Sequence, residues 1–177
     1  MSDGTRRLLH VRQVECKGFL RGDGGFEVEG RLLDLTPEGT TIVAKEVAPG
    51  TAIHDMRLSL ELDADLVITA VRVATPATPS VECPQAAAAY AALCGLQVGP
   101  GFNRAAKERV GGARGCTHLT ELLGRMATTA MQTFYAHRRA TRGAPAAVAR
   151  MADSCHAYRV GGAALRRLEA IHQENRT

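Results

Sequence analysis

The sequence predicts an α+β fold in which an antiparallel sheet carries helices packed on one face. Three observations point there. Residues 53–62 alternate, with Met56, Leu58, Leu60 and Leu62 on one side and Asp55, Arg57, Ser59 and Glu61 on the other, as a half-buried strand requires. After Cys116 the apolar residues recur instead at three- and four-residue steps, through Leu119, Leu122, Leu123, Met126, Ala127, Ala130, Met131 and Phe134, the stripe of a core helix. The period changes once, across Thr75-Pro76-Ala77-Thr78-Pro79. Strands therefore come first and helices second, the order of segregated rather than alternating elements.

Residues 8–19 read as a first strand, and Arg21-Gly22-Asp23-Gly24-Gly25 as a hairpin turn, because glycine and aspartate accept the positive φ of tight turns. Residues 26–32 alternate cleanly. Thr36-Pro37-Glu38-Gly39 then turns the chain before another extended run at 40–44. Residues 53–62 and 66–74 form a hairpin across Asp63-Ala64-Asp65, and strand parity places His54 on the buried side at the start of its strand. Cys83-Pro84-Gln85 opens an alanine-rich helix with proline in its first turn, closed at Gly95, and a short helix over 104–110 ends at Gly111-Gly112. A linker at 139–147 precedes a turn or short strand near Cys155 and a last helix over 163–173. Residues 1–138 are thus expected to form a single α+β domain, and 139–177 a C-terminal linker, turn or short strand, and helix packing on that domain.

A chain of 177 residues that is 45% apolar suits one core. No apolar run approaches the length of a bilayer span, and the start of the chain does not read as a signal segment, so a cytoplasmic protein with no membrane partner is expected. Cys16, Cys83, Cys94, Cys116 and Cys155 lack the close pairing of zinc ribbons and are expected to be thiols. The net charge of +4 gathers toward the C-terminal end, while aromatic residues make up only 4% and tryptophan is absent. Without stacking platforms, nucleic acid is not an expected partner.

The chemistry concentrates at Gly115-Cys116-Thr117-His118, where a helix begins directly after the glycine-rich Gly111-Gly112-Ala113-Arg114-Gly115. Unpaired N–H groups at that end favour a thiolate at Cys116. His118, Glu121 and Arg125 continue along the polar side, opposite the leucines. His54 and Cys83 also stand at the beginnings of regular elements, and folding the hairpin onto the helices can gather His54, Cys83 and Cys116 at one sheet edge. Thiolate sulfur and imidazole nitrogen are the donors zinc prefers. The metal-free alternative uses Cys116 as nucleophile with His118 or, better placed, His54 as base.

Arg21-Gly22-Asp23-Gly24, Ile53-His54-Asp55-Met56, the crossover from Pro79 to Cys83, and Gly115-Cys116-Thr117-His118-Leu119 resemble an uncharacterised bacterial family, the domain of unknown function numbered 2889. That resemblance implies only that these pieces belong together. The order ligand, Asp, Met, strand, turn, strand, cysteine helix and ligand-bearing core helix is more loosely similar to NifU-type iron–sulfur scaffolds. It implies a NifU/SufE-like core, with His54 and Cys83 at the first two ligand positions and Cys116 or His118 at the last. Histidine in place of a cysteine favours zinc or another mononuclear divalent metal over a transferable cluster.

The expectation is a metal-site enzyme, hydrolase or lyase, acting on a small molecule: His54, Cys83 and Cys116 as ligands, Glu121 and His118 as acid–base residues, and Arg104 and Arg114 as anchors for an anionic substrate. The alternative is a non-catalytic accessory subunit of a larger complex with a structural metal. A homo-oligomer is compatible with both.

Overall fold

The computed structural model describes residues 6–42, 45–142 and 151–174. Its strands are β1 (Val11–Leu20), β2 (Phe26–Leu35), β3 (Thr40–Ile42), β4 (Lys45–Val47), β5 (Ala52–Leu62) and β6 (Ile68–Ala77). Four of them form one antiparallel sheet in the order β1-β2-β5-β6, and β3 pairs with β4 in a separate ribbon. The helices follow: α1 (Phe102–Val110), α2 (Thr117–Arg142) and α3 (Ala163–Glu174). This is an α+β fold. The chain divides into two compact units, Met1–Met131 and Gln132–Thr177.

In the first unit, one face of the sheet is apolar by strict parity. Phe26, Val28 and Leu32 of β2 and Met56, Leu58, Leu60 and Leu62 of β5 are all buried. Gly30 lies in phase with them, and a Cβ there would stand 2.6 Å from Met126 Sδ and 3.6 Å from a Leu122 methyl. The missing side chain is what lets α2 lie close against the sheet. The opposite face is laced with ion pairs, among them Arg31 and Arg57 on Asp55 and Arg72 on Glu27.

The turn at 21–25 closes β1 onto β2, with Gly24 at φ +84° and the Gly25 N–H donating to Asp23 Oδ1 at 3.0 Å. Of the extended run read at 40–44, residues 40–42 form β3, which pairs with β4 in a short ribbon, and residues 43 and 44 lie outside the described residues. β6 continues into the proline-rich crossover as far as Ala77, and its register with β5 shifts between Asp55 and Arg57. Pro76 falls at that irregularity, where a missing N–H costs no ladder bond.

The alanine-rich stretch Cys83–Leu93 winds as a 3₁₀ segment rather than an α-helix. Its two buried residues, Tyr90 and Leu93, are three apart, so a threefold winding aligns them on one side. Tyr90 Oη lies 2.7 Å from both Cys116 O and Thr120 Oγ1 and accepts the Cys116 N–H at 3.2 Å. This phenol fixes where α2 starts.

In the second unit, α2 continues to Arg142, past the boundary expected at 138, because Arg139-Ala140-Thr141-Arg142 contains neither glycine nor proline. Residues 143–147 of the expected linker lie outside the described residues. Around Cys155 the chain makes turns, in which Asp153 accepts the Val160 N–H at 2.8 Å. α3 buries Leu165. Among the described residues no helix is long and apolar enough to cross a membrane.

Candidate metal centre

β2 ends its apolar face with a carboxylate. Asp34 follows Phe26, Val28, Gly30 and Leu32 in phase and is fully buried. The register sets His54 of β5 beside it on one side and Arg12 of β1 on the other. α2 crosses the same face, so its first turn brings His118 over His54, with ring centroids 3.7 Å apart and planes inclined by 33°. Three segments far apart in sequence thus converge on one carboxylate.

Asp34 Oδ1 accepts from Arg12 Nε at 2.8 Å and from His10 Nε2 at 3.0 Å, and Oδ2 accepts from Arg12 Nη2 at 2.8 Å and from His54 Nδ1 at 3.0 Å. An ionised carboxylate offers about four lone-pair directions, so these bonds satisfy it. Burial opposes its ionisation, but the hydrogen bonds from Arg12 and His10, with their charge, hold it at about 2. His118 Nε2 is 3.9 Å from Oδ2, beyond a hydrogen bond. On the far side of the ring, His118 Nδ1 is 4.0 Å from Cys116 Sγ.

Both imidazoles titrate below their ordinary range. For His54 the causes are burial and then the neighbouring His118; for His118 they are burial and then the charge of Arg12. Neutral rings keep a lone pair for an electrophile. Exposure falls steadily inward: 46% at His10, 37% at Arg12, 32% at Glu121, 25% at His118, 12% at His54 and 1% at Asp34. The mouth is therefore lined by Arg12, His10 and Glu121, and the floor is Asp34.

Of the residues singled out in the sequence, His54 and His118 meet here. Asp34, His54 and His118 each offer a ligand atom, all within 4.8 Å of one another, and among the described residues they are the group so arranged. Cys116 reaches the group through His118, its Sγ 4.0 Å from Nδ1. Cys83 opens the 3₁₀ segment, half-buried, and is not in the group. Glu121 binds Arg12 at 2.8 Å and lies 3.8 Å from Arg125. Arg104 is exposed on α1, 4.0 Å from Glu108, and Arg114 is exposed at the end of the turn Gly112–Arg114. Asp55, adjacent to His54 in sequence, points to the opposite face, as alternation demands.

Asp34, His10 and Arg12 were not singled out. One signal for Asp34 is present in the sequence: a carboxylate in phase with the apolar set of its strand. His10 and Arg12 become visible only through the pairing of β1 with β2.

The fold and site define an α+β domain with a buried carboxylate–imidazole cluster where a sheet meets the first turn of its core helix. Residues 10–132 match the model of the family described as protein of unknown function DUF2889, and the chain belongs to that family. No curated protein and no solved structure matches the chain.

Proposed function

We propose that the protein is a metal-dependent enzyme of the hydrolase or lyase type, acting on a small molecule, with a mononuclear divalent cation held by Asp34, His54 and His118. The convergence of those three donors within 4.8 Å carries the reading. Ligand atoms on a tetrahedral zinc with bonds near 2.05 Å stand roughly 3.3 Å apart. The separations of Asp34 Oδ2 from His54 Nδ1, 3.0 Å, and from His118 Nε2, 3.9 Å, bracket that spacing, the cation taking the place of the proton that Nδ1 shares with Asp34. Two imidazoles and a carboxylate suit zinc and leave coordination open.

Such a cation supplies Lewis acidity toward a substrate oxygen or water. The protein's own groups do the rest. Glu121, one turn along α2 from His118 and at the mouth, is placed to take a proton from a group entering the site. Arg12 and Arg125 hold its carboxylate in place. The apolar face beneath α2 excludes water from the floor around Asp34.

Metal content of the purified protein is the test. The reading expects one divalent ion per chain, lost in His54→Ala and His118→Ala, strongly reduced in Asp34→Asn and retained in Cys83→Ala. Loss in Cys83→Ala with retention in His118→Ala would replace this donor set with another.

One observation favours a second reading. The His118 ring lies between the Cys116 thiol, 4.0 Å away, and the Asp34 carboxylate, 3.9 Å away. In that reading the Sγ proton passes to Nδ1, sulfur adds to a substrate carbonyl carbon as the C=O π pair moves onto its oxygen, and Asp34 balances the imidazolium. It requires protein free of stoichiometric metal, with Cys116 alkylated by iodoacetamide faster than the other four cysteines and slowed in His118→Ala.

A further inference from the structure

We infer that Arg12 sets the cation affinity of this site, competing with the metal for Asp34 and retreating onto Glu121 when the metal takes the carboxylate. The inference rests on the metal reading above and adds a specificity-determining residue to it.

Arg12 stands opposite Asp34 in the β1–β2 register. Its guanidinium grips both carboxylate oxygens, Nε on Oδ1 and Nη2 on Oδ2, each at 2.8 Å. This is the bidentate geometry in which arginine binds a carboxylate most tightly. The remaining terminal nitrogen, Nη1, donates to Glu121 Oε2, also at 2.8 Å. One guanidinium is thus shared by two carboxylates of unequal burial, Asp34 on the floor and Glu121 at the mouth.

A divalent ion on an Asp34 oxygen would be a near neighbour of that guanidinium. Like charges so close, in a site largely shielded from water, repel strongly. The repulsion is relieved if Arg12 leaves Asp34. It need not lose a counter-charge in doing so, because its bond to Glu121 already exists. Glu121 is 32% exposed and Arg12 37%, so both can rearrange at the surface, whereas Asp34 is fixed within the sheet. The remaining polar groups around Arg12 are consistent with the exchange: His10 still donates to Asp34 Oδ1, and Arg125, 3.8 Å from Glu121, helps to hold the receiving carboxylate.

Co2+ titration of chelator-stripped protein, followed by its d–d absorption and by calorimetry, tests the exchange in wild type, Arg12→Gln, Arg12→Lys, Glu121→Gln and the Arg12→Gln/Glu121→Gln double variant, with His118→Ala as the control for the site. The expected result is Co2+ binding at least tenfold tighter in Arg12→Gln. Arg12→Lys should fall between it and wild type, since lysine keeps the charge without the fork. Glu121→Gln should weaken binding severalfold in the wild-type background and much less in the Arg12→Gln background, where no guanidinium needs receiving. Equal weakening in both backgrounds would make Glu121 a simple charge and overturn the exchange. So would Arg12→Gln binding no more tightly than wild type while His118→Ala abolishes binding, and the metal reading would then survive alone. Absence of His118-dependent Co2+ binding in every variant removes both. Arg12→Lys keeps the test open if Arg12→Gln does not fold, because its fold is checked independently by circular dichroism and the same ordering against wild type applies.

Discussion

Asp34 is the residue on which the site is built, and its surroundings decide what its loss costs. With four hydrogen bonds in a position closed to water, the carboxylate cannot be replaced by a neutral amide without leaving Arg12 with a diminished partner. Breaking a buried pair by removing one member costs about 3 kcal/mol or more, and the 37% exposure of Arg12 reduces this, so Asp34→Asn is expected to lower stability by about 2 kcal/mol in urea unfolding. An unchanged midpoint would mean that the carboxylate is not held as described. The two histidines were legible in the sequence for separate reasons, His54 from strand parity and His118 from the start of the helix. What could not be read was their common partner. An aspartate on an alternating strand ordinarily lies on the polar face, as Asp55 does, and apart from its phase nothing in the linear sequence distinguishes Asp34, which pairs with His54 across the sheet. Cys83 illustrates the converse limit: a cysteine at the start of a regular segment carries no information about what the fold places opposite it.

Among the elements, α2 carries the site because two contacts fix its position along and above the sheet. Gly30 sets the height. Adding one methyl there meets Met126 Sδ at 2.6 Å and Cγ at 2.9 Å, an overpacking that typically costs about 1–3 kcal/mol. Gly30→Ala is therefore expected to destabilise by that amount, and a Met126→Ala substitution should cost less in the Gly30→Ala background than alone, as a double-mutant cycle of thermal midpoints would show. Tyr90 sets the register. Its buried hydroxyl joins Cys116 and Thr120, and Tyr90→Phe leaves those groups without it at about 1–2 kcal/mol, with faster hydrogen exchange at the Cys116 amide as the local readout. Protection equal to wild type would show that the helix start is held elsewhere. The sequence announced both strands and this helix through their apolar periods. It did not announce the 3₁₀ winding of Cys83–Leu93, since alanine suits either helix and the choice follows from Tyr90 and Leu93 docking on one side.

At the scale of the whole molecule, the buried carboxylates and imidazoles that titrate below neutral pH act in one direction. Asp34 and Asp55 are both held at about 2, the second chiefly by hydrogen bonds from Arg31, with burial opposing them and Arg57 adding to them. His54 and His118 are displaced below 6.5, mainly by burial. In each case the folded state binds fewer protons than the unfolded chain between the displaced and the ordinary value, so stability must fall as the solution is acidified through that window. Two descending steps follow. The histidine contribution is lost as pH falls below about 6.5, and the aspartate contribution is complete above about pH 4 and lost as pH falls toward 2, with a slope of at most about 2.7 kcal/mol per pH unit for the pair. Urea midpoints measured between about pH 8 and about pH 2 should trace both steps. A His54→Gln/His118→Gln variant should lose the upper step and keep the lower one. Asp55→Asn should do the reverse in part, costing about 1 to 2 kcal/mol at neutral pH, because Arg31 and Arg57 are half-exposed and their attraction is screened, and converging on wild type near pH 2. A stability that rose on acidification from neutral pH to about 5 would contradict the buried, neutral state of the paired imidazoles.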